Sequence, residues 1–441
     1  MPSVLEGKEL FLANFKDARP RLPGAKLPWL DKRRAEAIDR FAAAGFPTTE
    51  DEDWRFTKVD PIEKTPFVLA DRVSSVEMKT LAGLALCPFG FDRLVFVNGR
   101  HSPELSGPHA LPSGARLTTI AQVLEKEPAR LEPWLAKLGQ AEGRAFGALN
   151  LALFRDGAAV LVPKGVRLEK PIHLIFVSSA PDVATMSHAR VLVVLEDGAQ
   201  ASVVQEYVGL DRGVCFTNMV TELLIGENAG LSHYRLQRES DRTLHVSTLQ
   251  ARVERNGRLS AHVVSLGGQL VRNDVNVLLA GEGADVALNG LYLVRGRQHL
   301  DNHTLIDHAV PHGTSRELYK GVLDGEARAV FNGSIIVREG AQKTDAQVYN
   351  KNLLLSEHGL INTKPDFKIH ANDVQCKHGA TIGQMSSDAM FYLRSRGLGE
   401  DEARRLLVHA FASEMVERVD VEPLREALSE ALHRRLPEAA A

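Results

Sequence analysis

The sequence predicts a mainly β fold built around a parallel β-helix or a related β-solenoid, with helical regions at both ends. Short runs rich in β-branched residues follow one another from about residue 149 to residue 384. Many runs are separated by an acidic or amide residue followed by glycine, a pair that favours tight turns. No helical period interrupts this span, and a β-sandwich would normally be smaller. A stacked array of strands therefore accounts best for the pattern.

The turn signals recur along the predicted solenoid and mark where one strand gives way to the next. Glycine at these places supplies the positive φ angle that such turns require. The residues after the signals resemble one another, as in segments 198–202, 257–261 and 325–329. The signals are Asp156-Gly157, Asp197-Gly198, Asn256-Gly257, Glu282-Gly283 and Asp324-Gly325.

Residues 1–148 are predicted to form an N-terminal region of mixed, mostly helical structure. Pro28 stands at a favourable helix start, and apolar residues then recur at helical spacing until Gly45 and Pro47 end the run. Residues 93–98 read as a strand, and residues 117–138 again favour helix. The solenoid core is accordingly expected to span residues 149–384.

Residues 385–441 are predicted to form a C-terminal helical region. A short helix over residues 388–396 is stopped by Gly397. Two apolar stripes at helical spacing follow, and helices of this kind need a partner surface. They either pack on the β-array or present their exposed sides to another protein. The stripes are Ala403, Leu406, Leu407, Ala410, Phe411 and Met415, then Leu424, Leu428, Ala431, Leu432 and Leu436.

The charge balance and hydropathy exclude several classes of protein. Among 441 residues, 53 lysines and arginines oppose 56 aspartates and glutamates, so the formal net charge is −3. A general nucleic-acid binder would carry a basic excess. No apolar run approaches the ~18–20 residues needed to span a bilayer, and the first residues lack the order of a secretion signal. We therefore expect a cytoplasmic protein that binds neither nucleic acid nor membrane.

The cysteines also point to the reducing cytosol. Cys87, Cys215 and Cys376 are odd in number and far apart, which is not a disulfide framework. Cys87 precedes a proline in a turn-like segment, and Cys215 lies in an apolar strand. Both are expected to be plain structural thiols.

The strongest candidate site is the pair Cys376 and His378. Side chains two residues apart in a strand project to the same face. A thiolate and an imidazole suit iron, zinc or an iron–sulfur cluster. Two donors do not fill a sphere of four, so the others must come from elsewhere in this chain or from a second chain. The residues alone leave open a structural coincidence, and also a Cys376 nucleophile with His378 as its general base.

A second group of candidates is rich in histidine: His299, His303, His308 and His312. Histidines near carboxylates suggest a metal site. Their spacing does not keep one face of a strand, however, and it matches no compact zinc signature. Hydrogen-bonded histidines at turns or at an interface are the favoured interpretation.

Signatures of enzymatic activity are missing from the sequence. It contains neither a Gly-x-x-x-x-Gly-Lys-Ser/Thr phosphate loop nor a Gly-x-Ser-x-Gly nucleophile elbow. Three polar residues, Lys320, Lys343 and Asp345, lie in predicted strands and could be buried catalytic groups. Stabilisation of the solenoid is the favoured interpretation. We therefore expect a protein that does not hydrolyse ATP itself and is not an enzyme.

A set of short motifs follows one order along the chain. It includes Tyr319-Lys320-Gly321 and the stretch that runs from Cys376 through His378 and Gly379. Together these motifs closely resemble the SufB/SufD family of the SUF iron–sulfur cluster assembly system. Glycine after His378 resembles a SufD-type member, because an acid follows the matching histidine in SufB. The motifs are residues 45–49, 52–56, 301–308, 311–312, 319–323, 331–333, 341–347, 352–356, 363–365, 376–384 and 391–397.

The resemblance implies a right-handed β-helix core and a scaffold role. The chain would pair with a SufB-like subunit as a heterodimer, and its C-terminal helices would carry a SufC-like ATPase. His378 would be a ligand or proton partner of a nascent iron–sulfur cluster shared at the subunit interface, with Cys376 beside it. That cluster would be transient, so the isolated chain need not hold one. In isolation the chain could also pair with a second copy of itself.

Two other functions remain open at this point. One is a purely architectural adaptor that holds its partners without touching the cluster. The other is a stand-alone β-helix enzyme acting on carbohydrate, which would need a groove with clustered carboxylates or aromatic rings. Only six tyrosines and three tryptophans are present, and no acid pair emerges from the sequence.

Overall fold

The computed structural model describes residues 6–70, 76–86, 90–107, 110–112, 114–138, 144–211 and 213–435. Its centre is a β-solenoid of about eight turns with helices at both ends, which confirms the predicted fold class. The described helices are α1 (Gly7–Ala18), α2 (Pro28–Ala44), α3 (Asp60–Glu63), α4 (Met78–Leu84), α5 (Ile120–Lys126), α6 (Ala145–Leu153), α7 (Ser387–Ser395), α8 (Glu400–Glu417) and α9 (Glu422–Arg435).

Short strands precede the solenoid, and its own strands follow as β5 to β20. The strands are β1 (Val68–Leu69), β2 (Asp92–Val97), β3 (Arg100–His101), β4 (Arg116–Thr119), β5 (Asp156–Val162), β6 (Ile172–Ser178), β7 (Thr185–Leu195), β8 (Gln200–Gly209), β9 (Cys215–Ile225), β10 (Gly230–Arg238), β11 (Leu244–Val253), β12 (Arg258–Ser265), β13 (Leu270–Leu279), β14 (Asp285–Val294), β15 (His299–His308), β16 (Thr314–Leu323), β17 (Arg328–Val337), β18 (Asp345–Leu354), β19 (Leu360–Ile369) and β20 (Gln375–Gln384).

Successive strands of the solenoid alternate between two parallel sheets. Sheet 1 holds the odd-numbered strands from β5 to β19, and sheet 2 holds the even-numbered strands from β6 to β20. The N-terminal region extends both sheets, because β4 pairs antiparallel with β5 and β2 pairs parallel with β6. Because β2 and β4 pair with solenoid strands, the N-terminal region belongs to the same β structure as the solenoid.

The interior of the solenoid is filled by columns of apolar side chains. Strand register places like residues above one another, as with Leu231, Leu259 and Val286 on β10, β12 and β14. All three are buried in the main core cluster. Each such side chain contributes roughly 1.5–3 kcal/mol when it leaves water, so the stacked columns favour one strand register over any shifted alternative.

Helices cover the outer faces of both sheets. Against sheet 1, the N-terminal helices bury Phe11 and Phe41 in a cluster that includes Phe216 of β9. Against sheet 2, α8 and α9 bury Val408 and Leu428 in a second cluster with residues of β10 to β16. Because both faces of the sheets are covered, the strand sequences are nearly continuous apolar runs and do not alternate between apolar and polar residues.

The predicted turns are confirmed at most places and wrong at one. Gly198, Gly283 and Gly325 adopt positive φ angles between strands. In the signal Asn256-Gly257, the asparagine takes the positive φ instead of the glycine. Asp156-Gly157 is not a turn, because both residues begin strand β5. A Cβ on Gly157 would lie 1.7 Å from the carbonyl oxygen of Arg190, so the close approach of β7 requires glycine there.

The helical predictions need one correction. The helix expected over residues 117–138 is confined to α5, since Arg116–Thr119 pairs with β5 and Pro128 starts a separate short 3-10 turn. The Thr119 hydroxyl caps α5 by accepting from the Gln122 amide at 3.1 Å. Helix α1 was not predicted.

At the C-terminus, the three predicted helices are present. Gly397 has a φ of 92° just after α7, as expected of a helix stop. Leu436, the last residue of the predicted stripe, lies outside the described residues. Within the described part of the chain, the helices are all too short or too polar to cross a bilayer.

Candidate functional site

The last strand of the solenoid, β20, forms the edge of sheet 2. It pairs with β18 along its whole length. No other described strand lies on its far side, and β19 ends sheet 1 in the same way. Both sheets therefore stop at one open end, where backbone donors and acceptors are free to pair with another chain.

Cys376 and His378 both lie on β20 and continue two columns of core residues. Cys376 stands in register with Ala346, and His378 with Val348. Ala346 and Val348 are fully buried in the solenoid core. Because stacked strands keep the same face, the thiol and the imidazole both turn toward the mouth of the interior.

The two side chains differ in their exposure. Cys376 is half-buried and packs against the core cluster, whereas His378 is exposed. The ring of His378 lies 4.8 Å from the ring of Phe367 on β19, measured between centroids. Among the described residues, the His378 nitrogens have no hydrogen-bond partner, so the ring is held by an apolar contact and its nitrogens remain available to a ligand.

The Cys376 thiol is held in its protonated form by its surroundings. Partial burial, and then the negative charge of Asp345, raise the pKa of this thiol above its ordinary value. A neighbouring cation has the opposite effect, because positive charge stabilises the thiolate. In the chain alone, Cys376 therefore forms less of the thiolate that binds metal, and a nearby iron ion would increase the thiolate fraction.

The described chain does not complete a metal site around this pair. No group of three or more His, Cys, Asp or Glu side chains in the described segments is arranged to hold a metal ion. The structure thus places the two predicted donors on one strand face and, among the described residues, adds no third.

The four histidines of the second candidate group do not converge. His299 lies 2.8 Å from the Thr57 hydroxyl, and His308 lies 2.9 Å from the Ser315 hydroxyl. His303 Nε2 is 3.1 Å from an Asp301 oxygen, and the exposed His312 follows β15 in a turn with a φ of 60°. His299 and His303 both connect to Asp301, the former through Thr57, while His308 and His312 make other contacts, and the described residues form no group able to hold a metal ion here.

Exposed apolar side chains surround the open end. Leu360 and Ile369 begin and end β19, with 47% and 40% of their surfaces exposed, and Ile382 of β20 is 52% exposed. Single exposed apolar residues are common, but these three share one end of the molecule with two edge strands, each of which has one edge free among the described strands. Together they form a surface suited to contact with a second protein.

A second exposed surface lies on the C-terminal helices. Phe391 and Tyr392 of α7 are 76% and 58% exposed, although α8 and α9 pack on sheet 2. Aromatic residues contribute strongly to protein interfaces. The outer side of α7 is therefore a second candidate docking surface.

Lys320 links the C-terminal helices to the solenoid. Its ammonium group donates to the Phe411 carbonyl oxygen at 2.9 Å and lies 2.5 Å from a Glu414 oxygen. The side chain is nearly buried on β16, while Phe411 and Glu414 belong to α8. The sequence favoured a stabilising role for Lys320, and the structure adds the contacts on α8 that the strand motif could not reveal.

Sequence reasoning missed one buried acid in the interior. Glu317 of β16 stands in register with Val348 of β18, which stands in register with His378. Neither Glu317 oxygen has a hydrogen-bond partner among the described residues. Burial raises the pKa of this carboxyl to about 8. An acid at an inward position of a strand pattern is the signal that would have identified it.

Comparison with known protein families identifies the family to which this chain belongs. The family model described as SUF system FeS cluster assembly, SufBD core domain, matches residues 176–411, which is more than half of the chain. The chain belongs to the SufBD family. A second model, described as SufBD protein N-terminal region, matches residues 6–174.

Several SufBD relatives align over nearly the whole chain. An iron-sulfur cluster assembly SufBD family protein of Synechocystis sp. is 34% identical over 412 residues, which cover 91% of this chain and 90% of the relative. Iron-sulfur cluster assembly protein SufD of Escherichia coli is 30% identical over 403 residues, with 91% and 92% covered. The chloroplastic protein ABCI7 of Arabidopsis thaliana is 30% identical over 434 residues, with 96% and 89% covered.

These findings confirm the family resemblance that the motifs indicated. The SufD name of the Escherichia coli relative agrees with the glycine that follows His378. As a SufBD family member, the chain has a role in SUF iron–sulfur cluster assembly.

Proposed function

We propose that this chain is a non-catalytic scaffold subunit that pairs with a SufB-like subunit and a SufC-like ATPase in the cytoplasm. Its part would be to supply Cys376 and His378 to a nascent iron–sulfur cluster shared at the subunit interface. The observation that carries the proposal is the position of both donors on the last strand of the solenoid, whose outer edge pairs with no other described strand. A scaffold that completes its site with a partner needs its donors at such an edge.

The backbone of β20 supports pairing with another chain. The Gln375 amide donates to the Thr344 carbonyl oxygen at 2.8 Å, toward the neighbouring strand. Amide directions alternate along a strand, so the amides of Cys376 and His378 point outward from the free edge. A partner strand that pairs with these amides would lie directly beside both donor side chains.

The partner would also supply what this chain lacks. Thiolate and imidazole are established ligand types for iron–sulfur clusters, but two donors leave the remaining iron sites unfilled. We expect the SufB-like subunit to provide the main cysteine ligand. Iron at the shared site would favour the Cys376 thiolate, whose pKa is raised in the chain alone.

The C-terminal helices would couple the ATPase to the site. An ATPase bound to the exposed side of α7 would act on α8, which Lys320 ties to β16. Strand β16 is separated from β20 only by β18. Nucleotide-driven movement of the ATPase could therefore strain sheet 2 and open the mouth at Cys376 and His378 to iron and sulfide.

The proposal is tested by anaerobic reconstitution of the complex from the chain, a SufB-like subunit and a SufC-like ATPase. Cys376→Ala and His378→Ala should leave co-purification intact and strongly reduce cluster formation from iron and sulfide, followed by absorption spectroscopy. His358→Ala is the matched control, because His358 is also exposed and lies between β18 and β19. Normal cluster yield from both site variants would leave an architectural adaptor as the function.

A further inference from the structure

A large cavity lies at a corner of the solenoid, far along the stack from the open end. It has a volume of about 870 Å³ and is formed where β8, β10, β12 and β14 end and the chain crosses to sheet 1. The last residue of α9, Arg435, closes one side. Binding sites for small molecules commonly have volumes of about 300–1,000 Å³, so this cavity is large enough for one.

Positive charge converges on this cavity from separate parts of the chain. Arg238 ends β10, Arg295 and Arg297 follow β14, and Arg435 arrives on α9. Arg238 and Arg295 leave the solenoid at the same corner, two strands apart in sheet 2. Strand spacing of about 4.8 Å places their backbones roughly 10 Å apart, a distance that two long side chains span easily.

The acids beside the cavity offset only part of this charge, because Glu206 pairs with Arg238 at 2.9 Å and Asp241 attracts Arg435 without forming an ion pair with it. Glu239 points away from the cavity, because its carboxylate lies 2.6 Å from His245 and 2.7 Å from the Thr217 hydroxyl, both buried. Asp241 is the other acid in the lining. Arg297 lies 3.7 Å from Glu326, outside the cavity, and both of these side chains are well exposed.

Arginines that face the cavity retain unused hydrogen-bond donors. Arg238 donates through Nη2 to Glu206 at 2.9 Å and to the Leu84 carbonyl oxygen, which leaves its Nη1 without a hydrogen-bond partner within the described segments. The side chains of Arg295 and Arg435 form no hydrogen bond or ion pair with any described residue. Burial, followed by the charges of Arg295 and Arg238, lowers the pKa of Arg435 to about 10.

The position of Arg435 at a helix end explains only part of this arrangement. A cation at the C-terminus of a helix is favourable because it complements the helix dipole. That effect accounts for one arginine on α9, but not for two more that reach the same cavity from the solenoid. Like charges brought together raise the free energy of the site unless an anion binds between them.

We propose that this cavity binds a small anion of the pyrophosphate class, free or as part of a nucleotide, held by Arg238, Arg295 and Arg435. The guanidinium group presents a planar set of donors that matches phosphate oxygens two at a time. Three such groups around one cavity suit an anion with several phosphate oxygens better than a single carboxylate. A bound anion would join α9 to β10 and β14 and so stiffen the docking of the C-terminal helix.

The test is isothermal titration calorimetry of the full chain with inorganic pyrophosphate, and separately with ADP, at low salt. Arg295→Gln and Arg435→Gln should each weaken binding of the better probe about tenfold or more. Arg258→Gln is the matched control, because Arg258 is exposed and lies at the opposite end of its strand, away from the cavity. Tighter binding of ADP would assign the site to nucleotides, and tighter binding of pyrophosphate to the inorganic anion.

A second measurement does not depend on heats of binding. The better probe should slow amide hydrogen exchange in α9 of the parent chain and of Arg258→Gln, but not of Arg435→Gln. Circular dichroism establishes that each variant is folded, and Arg295 is exposed, so its loss should not unfold the chain. Absence of binding by either probe at millimolar concentration, or equal affinities in parent and both site variants, would overturn the proposal.

Discussion

The ring of Phe367 packs against the imidazole of His378 across the mouth of the solenoid, with centroids 4.8 Å apart and planes inclined by 44°. The two residues belong to β19 and β20, the terminal strands of the two sheets. This contact orients His378 without using either ring nitrogen. A ligand role for His378 thus needs no rearrangement of hydrogen bonds within the described chain.

Charge on the free edge of β20 should prevent pairing with a partner. Ile382 is 52% exposed on this strand, and a lysine there would place a charge against any strand that approached it. We expect Ile382→Lys to abolish co-purification with the SufB-like subunit while the variant stays folded. Val183→Lys, at a residue 58% exposed before β7, should co-purify normally. Equal recovery of both variants would exclude β20 from the interface.

The two described cysteines should differ sharply in reactivity. Cys215 is buried, and burial raises its pKa to about 12, whereas Cys376 is half-buried at the open end. Iodoacetamide should modify Cys376 in the native chain and reach Cys215 only after unfolding, as followed by peptide mass spectrometry. Rapid labelling of both in the native chain would contradict the structure.

The Asp345 charge should slow that labelling of Cys376. Together with burial it raises the pKa of the thiol, so less reactive thiolate is present at neutral pH. Asp345→Asn should therefore increase the labelling rate, and the gain should shrink as the pH rises through the raised pKa. Asp285→Asn is the control, since Asp285 occupies the corresponding position on β14. Identical rates in the parent and both variants would remove the electrostatic explanation.

Removal of the Lys320 ammonium should loosen α8. Lys320→Met leaves Glu414, which is 41% exposed, with only its 3.3 Å contact to Arg418, and we expect unfolding free energy to fall by about 1–2 kcal/mol at pH 7. The hydrogen bond from Lys320 lowers the pKa of Glu414 below its ordinary 4.5. Its contribution is therefore full above pH 4.5 and is lost as the pH falls through the lowered value. Urea denaturation at several pH values measures both effects.

The control for this measurement is Lys170→Met, which removes an exposed lysine far from α8. It should change unfolding free energy little at any pH. A Lys320→Met variant as stable as this control at pH 7 would show that α8 does not depend on the contact.

Glu317 should make the fold less stable as the pH rises. Its pKa is about 8 in the folded chain against an ordinary 4.5, so the folded state holds a proton that the unfolded state releases in this range. Stability therefore declines from about pH 4.5 to pH 8 and then levels off. Glu317→Gln should match the parent near pH 4 and exceed it in unfolding free energy at pH 8. A parallel pH dependence in both proteins would contradict the assignment.

The sequence predicted the solenoid because its signals are local. Glycine after an acid or amide marked the turns at Gly198, Gly283 and Gly325 correctly. The reason is that the ability to adopt a positive φ angle is a property of glycine itself. The same signal failed at Gly157, where glycine is needed for the close approach of Arg190 on another strand. A local pattern cannot separate a glycine that bends its own chain from one that makes room for another.

By itself the sequence determined that Cys376 and His378 share a strand face and that two donors need others, because side-chain alternation and donor chemistry depend only on neighbouring residues. Tertiary structure alone decided that the outer edge of β20 is free among the described strands, that Lys320 meets α8, and that arginines from distant segments face one cavity. Those facts depend on which strands stack and which helix faces are buried. Such long-range pairing follows from the packing of the whole chain, and no single stretch of residues encodes it.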